Sequence, residues 1–275
     1  MLIQEIVFLI LGLFILWVGA ELLVKGSSSL AIGLGIRPLI VGLTIVAMGT
    51  SSPELAVSLI AALRETKDLS LANIIGSNIA NIGLVVGVCA LIRPLKIEQS
   101  MLRYEVPIMV IGTIIFSVLS YDREIGRLDG FILLLGFIVF LVIMIKASQK
   151  DRSKAKLDAS FVDIRKDKKL FGKQFLYIIV GLVGLVGSSY LIVQSAEYIA
   201  EYAGVSPFVI GVSIVAVGTS LPELAISAVG VARGRVDIAV GNAVGSNIFN
   251  TLFVIATVSV ITPIPVDRSL FSLHY

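Results

Sequence analysis

Gly49-Thr50-Ser51-Ser52-Pro53-Glu54-Leu55-Ala56-Val57-Ser58 sets a proline and a carboxylate inside an otherwise apolar run. The same arrangement returns as Gly218-Thr219-Ser220-Leu221-Pro222-Glu223-Leu224-Ala225-Ile226-Ser227. A carboxylate in lipid costs about 2.5–3.5 kcal/mol on insertion scales. A proline inside a helix leaves a backbone carbonyl without its usual N–H partner. Both features, repeated at matching places, point to a cation site.

The surrounding chain reads as membrane-spanning. Of its 275 residues, 57% are hydrophobic and 15% charged, and many windows of about 18 residues hold few or no charges. The fold class is therefore an all-α polytopic membrane protein. The single Cys89 lies in an apolar segment and the single His274 is the penultimate residue. That composition supplies neither a disulfide framework nor the ligands and bases of zinc or histidine chemistry. Nor do the spans show a nucleophile–base pair, so an enzyme is not expected. The N-terminus has no basic region or small-residue cleavage site, and its first apolar run reads as a retained helix.

Outward from the two motifs, eight spans follow. Their expected extents are about 6–24, 39–63, 71–92, 106–120, 128–145, 175–200, 208–232 and 238–261. The second is expected to break near Gly49–Pro53 and the third near Gly76–Asn81. A polar segment of about 146–173 holds ten of the 22 basic residues and reads as a solvated linker. This divides the chain into a first membrane repeat (1–147), a charged linker (148–173) and a second, incomplete repeat (174–275). With the N-terminus outside, 17 basic residues fall in inside loops and five in outside loops. The charge rule thus expects an N-terminus outside and a cytoplasmic linker, in a cell (inner) membrane.

Residues 38–81 align with 207–250 at a constant offset of 169, with 21 identities in 44 positions. Five spans per repeat is odd, so the copies are expected to be inverted in the bilayer. Inverted repeats with broken helices at the midplane are the architecture of secondary transporters. The same offset sets Tyr275 opposite Val106, where the fourth span begins. Counterparts of the fourth and fifth spans are absent from this sequence, and a fragment or a split gene product is expected.

Glu54 and Glu223 supply charge, and Thr50, Ser51, Thr219 and Ser220 supply hydroxyls. The carbonyls of Ala47 and Ala216, a turn earlier, are expected to be freed. These are hard oxygens, suited to Ca²⁺ or Na⁺. Two carboxylates balance one Ca²⁺ or two Na⁺. A second pair of motifs, Asn73–Asn81 and Asn242–Asn250, sets Ser77 and Asn81, and Ser246 and Asn250, four apart on one helix face. These are expected to complete the shell. Asn73, Asn78, Asn242 and Asn247 fit either ligation or hydrogen bonds that brace the broken helices. Glu21 and Lys25, four apart near the end of the first helix, read as an ion pair or a snorkelling contact. Glu197 and Glu201 read as a solvated helix end, and Glu105 and Asp129 as helix-end residues.

At these four motif blocks the chain resembles the sodium/calcium exchanger family of the calcium/cation antiporter superfamily, in its prokaryotic type. The resemblance covers nearly the whole chain. It implies a ten-helix fold of inverted five-helix units, eight of whose helices are present here, with the broken segments forming a central diamond of cation sites. It implies exchange of Na⁺ for Ca²⁺ by alternating access, with the first and sixth helices gliding past the core. Carried over, the ion ligands are Glu54, Glu223, Thr50, Thr219, Ser51, Ser220, Ser77, Ser246, Asn81, Asn250 and the carbonyls of Ala47 and Ala216. Several members carry Asp where Asn250 stands, so this core keeps two carboxylates. No cofactor is implied beyond the transported ions. The expected partners are Ca²⁺, Na⁺, the bilayer, and the missing C-terminal helices or another subunit; nucleic acid is not among them. H⁺/Ca²⁺ exchange, K⁺-dependent exchange and an incomplete subunit that does not transport alone remain open alternatives.

Overall fold

A computed structural model of the chain describes residues 2–63, 67–155, 167–204 and 216–266. The His274 and Tyr275 end, the centre of the linker and the first third of the seventh span lie outside the described residues.

The first helix, α1 (Leu2–Leu34), continues ten residues beyond the expected end at Val24. Lys25 and the serines after it lower hydropathy but leave backbone hydrogen bonding intact. The helix stops where Gly35 turns left-handed (φ 68°), two residues before Arg37-Pro38. Its outer face exposes Ile3, Val7, Ile10, Phe14 and Trp17. An exposed apolar stripe at helical spacing inverts the pattern of a water-soluble helix and marks a lipid-facing surface.

The opposite face of α1 packs antiparallel on α8 (Lys168–Tyr202). Small residues permit close approach. A Cβ on Gly181 would stand 2.8 Å from the Gly19 carbonyl oxygen and 2.8 Å from the Leu23 nitrogen. Asp167 caps α8, accepting from the backbone N–H groups of Lys169 and Leu170.

The second span is two helices, α2 (Pro38–Thr50) and α3 (Ser52–Leu63), meeting at a 40° bend at Ser51. The seventh breaks the same way between α9 (Ala216–Thr219) and α10 (Leu221–Ala232). Both breaks fall where the prolines require them. The third span differs from expectation. Here α4 runs unbroken through Gly76 (Lys67–Ala80), passes through a π-helical turn (Asn81–Val86) and resumes over Gly87–Ile92. The eighth span, α11, repeats this as Val236–Phe249, a π-helical turn over Asn250–Val254, and Ile255–Ile261. These spans contain no proline, so nothing forces a break; one wide turn at each asparagine relieves the geometry instead.

Three helices lie between these halves: α5 (Gln99–Arg103), α6 (Glu105–Leu119) and α7 (Arg127–Ala155). With α7 reaching Ala155 and α8 starting at Lys168, both helices enter the segment expected as linker. A two-stranded antiparallel pair, β1 (Glu124–Ile125) and β2 (Ile264–Pro265), ties the α6–α7 turn to the segment after α11.

Six described helices are long and apolar enough to cross a membrane, seven if α2 and α3 count as one span. The centre of the molecule is α11, with 78% of its most apolar window buried against 28% for α4. Gly245 makes the core dense: a Cβ there would stand 2.5 Å from the Leu43 carbonyl oxygen. On the far side of α11, Phe137 of α7 packs against Phe249 and Phe253 at 5.8 and 5.0 Å between ring centroids.

Candidate cation site

The two breaks bring their carboxylates together in the interior, each 1% exposed. Ser51, at the first break, donates to Glu223 Oε1 of the second at 3.0 Å. Ser77 approaches Glu54 Oε1 and Ser246 approaches Glu223 Oε1, each at 3.4 Å. No described basic residue pairs with either carboxylate; the ion pairs are Arg37–Glu98 and Arg233–Glu21, both away from this centre. The second pair revises the expected Glu21–Lys25 contact. Arg233 Nε reaches Glu21 at 2.8 Å from α10, while Lys25 turns toward the Tyr177 ring.

Around the carboxylates, the amide side chains act in pairs across the internal twofold. Asn73 donates to Ser58 Oγ at 3.0 Å and to the Glu54 carbonyl at 3.4 Å. Its counterpart Asn242 does the same with Ser227 and the Glu223 carbonyl, at 3.2 and 3.4 Å. Thr50 donates to Asn242 Oδ1 at 3.0 Å. Asn73 and Asn242 therefore brace the breaks. Asn81 donates to Asn247 Oδ1 at 3.0 Å, and Asn250 donates to Asn78 Oδ1 at 3.2 Å. Asn78 in turn donates to Thr251 at 3.0 Å, and Asn247 donates to the Asn78 carbonyl at 3.2 Å. The N–H₂ groups of Asn81 and Asn250 are thus held, and their carbonyl oxygens are left without partners.

Five buried oxygens here have no hydrogen-bond partner: Glu54 Oε2, Glu223 Oε2, Asn81 Oδ1, Asn250 Oδ1 and Ser220 Oγ. All five belong to the expected ligand set. A buried acceptor left unpaired costs about 1–3 kcal/mol, so five at one place mark a site shaped for something positive. Among the described residues no three His, Cys, Asp or Glu side chains gather as a transition-metal site. The donors are two carboxylates plus neutral oxygens, a hard set.

One expectation is corrected. The Ala47 carbonyl is not freed: it accepts from the Ser51 backbone N–H at 3.0 Å. The chain bends one residue too late to release it. Glu105 begins α6, as expected of a helix-end residue, and it is buried there, with Oε2 unpartnered. Thr219 is half-buried and has an interaction of its own. Ala216 opens α9, and its side chain lies outside the described residues. Ser58 and Ser227, which anchor the bracing amides, carried no assigned role in the sequence. Their recurrence at the repeat offset was the available signal.

Comparison with known proteins agrees with this geometry. The family model described as "Sodium/calcium exchanger protein" matches residues 5–146 and 173–275. The putative antiporter CaxA of Alkalimonas amylolytica is 38% identical, over 96% of this chain and 82% of that protein. The inner membrane protein YrbG of Escherichia coli K12 is 37% identical, over 97% and 83%. The sodium/calcium exchanger MaX1 of Methanosarcina acetivorans is 31% identical, over 96% and 85%. A solved structure of the sodium-calcium exchanger NCX_Mj, soaked with Na⁺ and Ca²⁺, superposes with a TM-score of 0.84. It is 29% identical, with 98% of this chain and 86% of that one covered.

Proposed function

This chain belongs to the sodium/calcium exchanger family, and on that footing we propose that it exchanges Na⁺ for Ca²⁺ through the Glu54–Glu223 site. The observation that carries the reading is the group of five unpaired buried oxygens at the meeting point of the two breaks. Ca²⁺ takes six to eight oxygens, with carboxylates neutralising it. Na⁺ draws on the same oxygens. Occupancy by one ion therefore excludes the other, and that exclusion couples the two fluxes. The basic-residue count supports an N-terminus outside and a cytoplasmic linker, in a cell membrane.

Alternating access is supported by an asymmetry. At the repeat offset, α1 and α8 correspond: Gly12 faces Ile192 and Gly181 faces Leu23. Yet the nearest side chains to Gly49 and Gly218 are Leu182 and Val193, both from α8. A symmetric arrangement would bring Leu13 of α1 to Gly218. The α1–α8 pair thus sits to one side of the twofold, and sliding to the mirrored position exchanges the roles of the two ends.

The test is uptake of ⁴⁵Ca²⁺ into proteoliposomes preloaded with Na⁺. Uptake is expected to collapse without the Na⁺ gradient and in Glu54→Gln and Glu223→Gln. Transport by Glu54→Gln at the intact rate would sink the site assignment. Uptake driven by a pH gradient without Na⁺ would reassign the coupling ion to H⁺, and a K⁺ requirement would add a third ion.

One observation favours a second component. Helices α6 and α7 cover α11, but among the described residues nothing covers the matching face of α4. A Cβ on Gly76, Gly83 or Gly87 would meet nothing within 4 Å, and Leu91 is 89% exposed. A 640 Å³ cleft opens there, lined by Ile79, Gly83 and Phe116 with Asn78 and Thr251 at its floor. We propose that two further apolar helices, from a longer chain or a separate subunit, pack on this face. Reconstitution with and without such helices is the test; equal transport and stability in both forms would remove the requirement.

A further inference from the structure

Away from the central site, a polar cleft of 410 Å³ lies between α1 and the end of α10. Glu21, Lys25, Ser28 and Ser29 line it from α1, and Arg233 and Arg235 from α10 and the turn beyond. Its lining thus holds three cationic side chains and one carboxylate, with Asp237 within electrostatic reach of Arg235 behind it. The cleft is at the linker end of the molecule, because a Cβ on Gly26 would stand 2.9 Å from the Gln174 carbonyl oxygen near the start of α8.

The cations are exposed, and the helix end and one aromatic ring set where they stand. Helix α10 ends with Gly234 in the left-handed region (φ 73°). The Gly234 N–H donates to the Val231 carbonyl at 3.0 Å, and the Arg235 N–H to the Gly230 carbonyl at 2.7 Å. This closed turn presents Arg233 and Arg235 on either side of one glycine. Lys25 stands 5.6 Å from the Tyr177 ring centroid, within cation–π range. Arg233 is occupied by Glu21 through Nε at 2.8 and 3.1 Å, and this contact raises the guanidinium pKa further. On the wall of the cleft, Ser28 is 3% exposed and its Oγ has no partner. A buried, unsatisfied hydroxyl beside three cations is a donor waiting for an acceptor.

We propose that this cleft binds a negatively charged phosphate group, carried by a lipid headgroup or free in solution. Basic pockets between transmembrane helices are suited to anionic headgroups. Lys25 and Arg235 would contact the phosphate oxygens, Ser28 would donate its hydroxyl, and Arg233 would be shared between phosphate and Glu21. Because the ligand bridges α1 to α10, its binding ties the α1–α8 pair to the core.

The experiment is a binding titration of the purified full chain in detergent with three probes: dioctanoyl phosphatidylglycerol, dioctanoyl phosphatidylcholine and inorganic phosphate. It needs no transport assay, so its outcome is independent of the ion-exchange reading. Phosphatidylglycerol is expected to bind at least fivefold more tightly than phosphatidylcholine. Arg235→Gln is expected to weaken binding about fivefold, the weight of one basic side chain at such a surface. Ser28→Ala should weaken it less. Glu21→Gln, which releases Arg233, should strengthen it. Opposite signs from Arg235→Gln and Glu21→Gln cannot come from misfolding. Binding of phosphatidylglycerol without phosphate assigns a lipid site, and binding of phosphate alone a soluble anion. Equal binding of both lipids with none of phosphate, or unchanged binding in Arg235→Gln and Glu21→Gln, overturns the proposal.

Discussion

Two serines at equivalent positions of the repeat do different work. Ser51 donates to Glu223, whereas Ser220 has no partner. Ser51→Ala is therefore expected to lower the stability of the ion-free protein by about 1–3 kcal/mol, the penalty for stranding a buried partner. Ser220→Ala should leave it nearly unchanged, and thermal unfolding in detergent measures both. At saturating Ca²⁺ the two variants are expected to converge, since ion binding gives each oxygen a partner. Asn78 tests a different property. It accepts from Asn250 and donates to Thr251 without being among the unpaired oxygens. Asn78→Ala should weaken Ca²⁺ binding about tenfold, a loss of roughly 1.4 kcal/mol, by releasing the Asn250 amide to turn. Isothermal titration against Asn78→Asp, which keeps the acceptor, separates positioning from ligation.

Between helices, glycine spacing sets the approach distance. Gly181 and Gly187 lie on one helix, α8, in different surroundings. An added Cβ at Gly181 meets the α1 backbone at 2.8 Å; one at Gly187 meets nothing within 4 Å. Backbone cannot step aside as a side-chain tip can, so Gly181→Ala is expected to destabilise by about 1–3 kcal/mol. Gly187→Ala should instead stabilise slightly, because alanine is the better helix former by about 1 kcal/mol. Opposite shifts in melting temperature are the expected result. The π-helical turns belong to this scale too. Those of α4 and α11 begin at the asparagine whose side-chain oxygen is left unpaired, Asn81 or Asn250.

Among the described residues, most apolar packing falls in two clusters, beside a small third one of Cys89, Val231 and Ala239. One cluster gathers around α11, with α6 and α7. The other joins α1 to α8 and touches α2 and α10. Bodies with separate cores can slide while each stays packed. Spin labels at Trp17 on α1 and Ile138 on α7, both exposed to lipid, should change separation when Na⁺ is replaced by Ca²⁺ or removed. Labels at Ile114 and Ile138, within one body, should hold a constant distance. A fixed Trp17–Ile138 distance in every ion condition would argue against the sliding pair.

The sequence by itself determined the membrane class, the repeat and the identity of the buried acceptors. Those properties reside in composition and in residue order: a proline inside a span removes a helical hydrogen bond, and a carboxylate in lipid is costly whatever surrounds it. It misjudged the end of α1, since hydropathy falls at Lys25 while the backbone hydrogen bonds continue. It expected the third span to break near Gly76–Asn81, where the helix instead continues through Gly76 and widens into a π-helical turn from Asn81, since glycine permits a bend and does not compel one. Only the tertiary structure decided which hydroxyl meets which carboxylate, that Glu21 pairs with Arg233 rather than Lys25, and that the Ala47 carbonyl stays occupied. Each of these joins residues from different helices or depends on where a bend falls to within one residue. Such relations are set by how glycine-lined faces close on one another, and no local pattern encodes that distance.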